Sequence, residues 1–134
     1  MSTPGEGAPT DDIVLIDDDP MVSEFMRRVL RGSGRTLLAF DDPEAGLDYL
    51  EGRLARVLLV DMRMPTMDGP EVLARLAERG EQGGLEVMLC SASRAVRADL
   101  PTDVSLILKD QLLDRATLLD RLGGALDVPA GKAA

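Results

Sequence analysis

Five polar side chains that could act together stand at the ends of four apolar runs. Ile13-Val14-Leu15-Ile16 leads into Asp17-Asp18-Asp19, and Val57-Leu58-Leu59-Val60 into Asp61. Val87-Met88-Leu89-Cys90 leads into Ser91, and Leu106-Ile107-Leu108 into Lys109. Short apolar runs of this kind suit buried strands, and open α/β sheets bind ligands beyond the carboxyl ends of their strands. If the four are parallel neighbours, three carboxylates, a hydroxyl and an ammonium converge on one crevice. Two like charges about 4 Å apart repel by roughly 4 kcal/mol at an effective dielectric of about 20. Asp17, Asp18 and Asp61 would therefore raise one another's pKa or recruit a divalent cation. Mg²⁺ suits such a set, with Mn²⁺ as the alternative, because it takes oxygen ligands, keeps several waters and bridges to phosphate. Alone, the Asp17-Asp18-Asp19 triplet reads as a turn or helix cap, and Asp19 before Pro20 is read as a cap. The triplet gains meaning beside Asp61.

An aspartate can also attack a phosphoryl group and carry it as an acyl phosphate. Such a transfer is promoted mainly by positioning and charge neutralisation. Mg²⁺ would hold one phosphoryl oxygen, Lys109 another, and the Ser91 hydroxyl with nearby backbone N–H groups a third. The chain has no histidine, which excludes a phosphohistidine of its own, a Ser-His-Asp triad and any imidazole metal ligand. Of its 15 basic residues only Lys109 and Lys132 are lysine. A compact ammonium enters a tight pocket where a planar guanidinium does not fit, so the lysine at a strand end stands out.

The elements that must position these groups alternate strand and helix. Pro20 opens a helix in which Met21, Val22, Phe25, Met26, Val29 and Leu30 recur at helical spacing, and Gly32-Ser33-Gly34 stops it. Thr36 to Phe40 reads as a short strand. Asp41-Asp42-Pro43-Glu44 reads as an N-cap with proline in the first turn, opening a helix through Leu50 that ends at Gly52. After Asp61 a loop with Pro65 and Gly69 leads to a helix from Pro70 to Arg79, closed by Gly80. Gln82-Gly83-Gly84 forms the return loop. A short segment, Arg94 to Asp99, is cut off by Pro101. A last helix carries Leu112, Leu113, Ala116, Leu119, Leu122 and Leu126 until Val128-Pro129. Five βα units predict a parallel sheet with right-handed crossovers and helices on both faces.

At 134 residues the chain fits one domain, able to bury roughly two-thirds of its unfolded surface. Residues 1–10, rich in Gly, Pro, Ser and Thr, are expected to be a disordered tail, 11–127 the domain, and 128–134 a flexible tail. No apolar run approaches the roughly 18 residues of a membrane span, and the first ten residues do not resemble a secretory signal. Cys90, the single cysteine, reads as a small core residue inside a strand. Cytoplasmic residence is the expectation. A net charge of −9 argues against direct nucleic-acid binding, which needs clustered Lys and Arg against phosphates.

The segment Asp61-Met62-Arg63-Met64-Pro65-Thr66-Met67-Asp68-Gly69 resembles the phosphoacceptor loop of response-regulator receiver domains, the chemotaxis-regulator-like modules of two-component signal transduction. Asp17-Asp18, Ser91-Ala92 and Lys109 match the other signatures of that family, and the resemblance spans about residues 12 to 127. It implies a flavodoxin-like, doubly wound five-stranded parallel sheet in the order 2-1-3-4-5. It further implies that Asp61 accepts a phosphoryl group from the phosphohistidine of a histidine kinase or phosphotransfer protein. Asp17 and Asp18 would bind Mg²⁺ with Asp61, and the Arg63 backbone carbonyl would be a further ligand. Ser91, Ala92 and Lys109 would contact phosphoryl oxygens, while Arg63 and Ser93 stand where the family tunes dephosphorylation. Bound phosphate would draw the Ser91 loop inward and shift a two-state equilibrium; moving it from 1:99 to 99:1 needs about 5.5 kcal/mol, so partial switching is equally compatible.

Three features depart from the family pattern. Leu106 occupies the switch position, usually an aromatic that changes rotamer, so coupling through a rotating ring is not expected. Asp110 follows Lys109 where many receivers carry proline, although lysine-aspartate also occurs in receivers of LuxR-type DNA-binding regulators. The stretch from Ser91 to Lys109 is about one helical turn shorter than usual, so the familiar dimer face is not expected and a monomer or weak dimer is. The resulting expectation is a stand-alone phosphoacceptor that signals by binding another protein, without membrane insertion. One alternative is a receiver-fold interaction module that works without phosphorylation. Another is a receiver cut from a hybrid kinase or larger transcriptional regulator. A phosphohydrolase of the aspartate-nucleophile type would put a general acid two residues after Asp61, where Arg63 stands, so the chain is not expected to turn over small substrates.

Overall fold

Proline after a capping aspartate starts two of the helices. Asp19 accepts the Met21 N–H at 3.0 Å and opens α1 (Pro20–Leu30), and Asp42 accepts the Ala45 N–H at 3.2 Å and opens α2 (Pro43–Leu50). Each proline sits where its missing N–H would have been an orphan of the first turn. Gly32 and Gly34, with φ of 80° and 81°, form the reversal after α1, a backbone region open to glycine at little cost. The computed structural model describes residues 11–80, 84–92 and 104–126.

The strands are β1 (Asp11–Ile16), β2 (Leu37–Phe40), β3 (Ala55–Asp61), β4 (Gly84–Ser91) and β5 (Val104–Leu108). All pair in parallel in the order β2-β1-β3-β4-β5, as the doubly wound reading expected. The remaining helices are α3 (Gly69–Glu78), α4 (Lys109–Leu112) and α5 (Arg115–Leu126). A sheet covered on both faces needs strands apolar on both sides, and the core divides accordingly. Ile13, Leu15, Val57, Leu59, Cys90 and Ile107 pack against α1 and α5. The alternate residues Val14, Ile16, Leu58, Val60 and Leu89 pack against α2 and α3.

Two apolar stripes differ from their expected form. Met21 is 62% exposed, since Val22, Met26, Val29 and Leu30 form the buried face of α1 and Met21 lies off it. The last helix is not continuous from Leu112. It breaks after α4, and Asp114 accepts from both the N–H and the hydroxyl of Thr117 at 3.0 and 2.6 Å to restart as α5. The break resets the helical phase. Leu118, Leu122 and Leu126 are buried, while Ala116 is exposed and Leu119 is 38% exposed. Strand boundaries also move: β2 starts at Leu37, and β4 already runs from Gly84. The expected short segment at Arg94 to Asp99, Pro101 and Ser93 lie outside the described residues.

Candidate functional site

Register carries the polar strand ends to one edge. Ile16 pairs with Val60, Asp61 with Cys90 and Ser91 with Leu108, so β1, β3, β4 and β5 all finish at the same level. Asp17 follows directly from β1, Asp61 and Ser91 close β3 and β4, and Lys109 begins α4 where β5 stops. Asp17 and Asp61 are buried at 3% and 6% exposure and Ser91 at 3%, whereas Asp18 is exposed. One oxygen from each of Asp17, Asp18 and Asp61 lies within 4.8 Å of the others. The Lys109 Nζ is 3.2 Å from Asp17 Oδ2 and 3.5 Å from Asp61 Oδ2.

Local hydrogen bonds hold the two buried carboxylates. Asp17 Oδ1 accepts the Asp19 N–H at 2.9 Å, turning the chain sharply between β1 and α1. The Arg63 N–H lies 3.4 Å from Asp61 Oδ1, and the exposed Arg63 side chain stands on the loop beside it. That loop is closed by Gly69, whose N–H donates to the Met62 carbonyl at 2.9 Å, and by the Met62 N–H on the Cys90 carbonyl at 2.8 Å. Asp68 and Glu71 then exchange side chain-to-backbone bonds of 2.9 and 3.1 Å, a capping box that starts α3. A Cβ on Gly69 would fall 2.7 Å from the Asp61 carbonyl oxygen and 3.2 Å from the Met62 Cα. Backbone cannot retreat as a side-chain tip can. Gly69→Ala is therefore expected to cost about 1–3 kcal/mol and to weaken divalent-cation binding by displacing Asp61, as read by thermal unfolding and Mg²⁺ titration.

Electrostatics follow from this geometry. Burial, followed by repulsion from Asp17, pushes Asp61 up to about 7, with Lys109 opposing the rise. Burial works against the Lys109 ammonium, but Asp17 and Asp61 outweigh it and its pKa is raised. The Cys90 thiol is pushed up by burial and carries no reactive thiolate, as a core residue should. Three carboxylates against one ammonium leave the edge negative. The donors are all oxygen and one carboxylate faces solvent, so the set fits a hard divalent cation such as Mg²⁺ or Mn²⁺. A cavity of about 320 Å³ lies beside the loop and is lined by Arg63, Pro65, Thr66 and Glu71 among others. None of the three aspartates lines it, so it is a groove along the loop and not the cation site.

The structure thus unites Asp17, Asp18, Asp61 and Lys109, with Ser91 on the neighbouring strand. Ala92 is exposed directly after Ser91. Leu106 is half-buried, and its carbonyl lies 3.4 Å from Arg121 Nη2 on α5. Sequence reasoning missed Gln111, whose Oε1 accepts the Leu108 N–H at 3.0 Å immediately before Lys109. A polar residue three positions after a strand end was the available signal.

Among the described residues no helix is long and apolar enough to cross a membrane. Residues 13–108 match the response regulator receiver domain family. The transcriptional regulatory protein FixJ of Bradyrhizobium diazoefficiens is 38% identical over 64 residues, covering 48% of this chain and 31% of that protein. The receiver domain of the hybrid histidine kinase CckA superposes with a TM-score of 0.69 at 29% identity, covering 86% of this chain and 98% of that one. The receiver domain of the sensor histidine kinase PA1611 from Pseudomonas aeruginosa PAO1 gives a TM-score of 0.69 at 20% identity, covering 87% and 98%; its crystal structure has a magnesium ion coordinated in the active site cleft. The chain spans about half or less of the length of the curated relatives it matches. The matched span runs from β1 to the last residue of β5 and so takes in every strand that delivers a polar group to the edge: the chain belongs to the response regulator receiver domain family.

Proposed function

We propose that this receiver accepts a phosphoryl group on Asp61 and signals by phosphorylation-dependent protein binding. The observation that carries this reading is the buried Asp61 carboxylate set between two further aspartates and an ammonium 3.5 Å away. An Asp61 oxygen attacks the phosphorus of a partner's phosphohistidine, the P–N bond breaks, and the imidazole leaves with the bonding pair. Lys109, already aimed at Asp61, then pairs with a phosphoryl oxygen, and the Ser91 hydroxyl and the Ala92 region face another. Asp17, Asp18, Asp61 and the Arg63 carbonyl would hold Mg²⁺, which when bound supplies positive charge against the phosphoryl oxygens. The donor is a histidine kinase or phosphotransfer protein, the compartment is the cytoplasm, and the protein is a phosphoacceptor, not an enzyme that turns over small substrates.

The test is intact mass after incubation with Mg²⁺ and acetyl phosphate. The wild type is expected to gain one phosphoryl mass and Asp61→Asn none. A gain in both would move the acceptor away from Asp61, and no gain from acetyl phosphate or from any phosphohistidine donor would favour an interaction module that works without phosphorylation. Arg63 and Ser93 are the positions expected to set the lifetime of the acyl phosphate. Arg63 is exposed on the loop, where it can shield the phosphoryl group from water. Arg63→Ala should shorten the phosphoryl half-life several-fold; an unchanged half-life would remove the shielding role.

A further inference from the structure

Lys109 is the first residue of a helix only four residues long, and we propose that Gln111 is the positioning residue that holds its ammonium on the Asp17–Asp61 pair. So short a helix has little stability of its own, because the first turn must be fixed before propagation begins. Its geometry has to be held by specific contacts. Three contacts hold it: Gln111 Oε1 accepts the Leu108 N–H at 3.0 Å, the Leu113 N–H donates to the Lys109 carbonyl at 3.0 Å, and Leu112 is fully buried. The first ties the residue before Lys109 and the second its own carbonyl, so the backbone that carries the ammonium is clamped on both sides. Residue 110 is an aspartate and adds no ring to restrain φ.

The chemistry of position 111 matches the task. Leu108 is 9% exposed at the end of the edge strand β5, and a buried backbone N–H requires an acceptor. An amide oxygen provides one without adding negative charge beside Asp17, Asp18, Asp61 and Asp110. Lys109 reaches two carboxylate oxygens at 3.2 and 3.5 Å through a long flexible stem. A shift of about 1 Å in such a group can cost roughly 100-fold in rate. Gln111 acts through the Leu108–Lys109 backbone and not on the reacting atoms.

The catalytic consequence rests on the phosphoacceptor reading, but the placement of Lys109 can be measured without it. With only two lysines in the chain, ¹⁵N-lysine labelling yields two ammonium signals, and Lys132→Arg assigns them. The Lys109 signal should be protected from exchange and distinct from that of Lys132 in the wild type. In Gln111→Met, which keeps the length but removes the acceptor, it should broaden or move to the exposed-lysine position. Gln111→Asn, too short to reach Leu108, should behave likewise and serves if the methionine variant fails to fold. Gln111→Glu keeps an acceptor and should retain the signal. Phosphoryl uptake from acetyl phosphate should fall about tenfold in the first two variants, while Mg²⁺ affinity is retained or rises, because a displaced ammonium no longer competes for the Asp17 and Asp61 oxygens. An unmoved Lys109 signal with an unchanged uptake rate in either folded variant would overturn the proposal, as would a wild-type Lys109 signal identical to that of Lys132. A wild type that takes no phosphoryl group from any donor would defeat the phosphoacceptor reading, while the spectra still decide where Gln111 puts the ammonium.

Discussion

Lys109→Met should take up phosphoryl groups about 100-fold more slowly than the wild type and yet bind Mg²⁺ more tightly. The two effects have opposite signs for one reason. The ammonium lies 3.2 and 3.5 Å from Asp17 and Asp61, where it competes with a cation for the same oxygens. On the proposed phosphoacceptor reading it is also the side chain that neutralises phosphoryl charge, and loss of one such preorganised group typically costs about 10²–10³ in rate. Damage to the fold would weaken both properties, so Mg²⁺ affinity separates the role of the charge from simple unfolding. Stability of the metal-free variant should fall as well, by about 2 kcal/mol at pH 8, because two buried carboxylates lose their counter-charge. Lys109→Arg should not restore uptake, since a guanidinium is broader and differently hydrated. Uptake measured by intact mass against time, with Mg²⁺ titration in parallel, checks both signs. Wild-type uptake in Lys109→Met would remove Lys109 from the transfer.

Asp61→Asn should melt several degrees above the wild type in metal-free buffer at pH 8, and the difference should shrink on acidification. Burial and Asp17 raise the Asp61 carboxyl to about 7 in the folded chain, against an ordinary value near 3.9 when unfolded. A raised pKa means that the folded form holds the proton more firmly. Stability from this group is therefore complete below about pH 4 and is lost as pH rises through 7. Asparagine carries no charge at either pH and escapes the loss, so the variant should gain roughly 1–3 kcal/mol at pH 8 and little at pH 4. Millimolar Mg²⁺ should narrow or reverse the difference, because a ligand that binds the folded state stabilises the form that binds it better. Thermal unfolding from pH 4 to 8, with and without Mg²⁺, tests the linkage. A wild-type stability flat across that range would show that Asp61 is not crowded by its neighbours.

Much of this site is legible in the amino-acid sequence, and the reasons are local. A strand buried on both faces must be continuously apolar, so the polar residue that ends it is conspicuous, and four such endings mark Asp17, Asp61, Ser91 and Lys109. The caps at Asp19 and Asp42 are legible because a proline follows each aspartate, a pair of residues that suits the start of a helix. Cys90 is marked as core by the apolar run around it. Where local pattern misleads, the deciding interaction is small and specific. The phase of α5 is reset by the bonds of Asp114 to Thr117, which exchange Leu119 for Leu118 in the core although the leucine spacing permits either. Gln111 escapes notice because a side chain-to-backbone bond leaves no periodic trace.

Residue types of the site and the strand ends that carry them follow from local pattern alone. Long-range packing brings Lys109 to Asp17, 92 positions away, and buries Asp17 and Asp61 while Asp18 faces solvent. The physical reason is range. Periodicity and capping are properties of a few consecutive residues, whereas register is chosen by the packing of whole strands against both helix layers. Pairing Asp61 with Cys90 and Ser91 with Leu108 sets the level of the edge, and with it how closely three like charges must crowd around one ammonium.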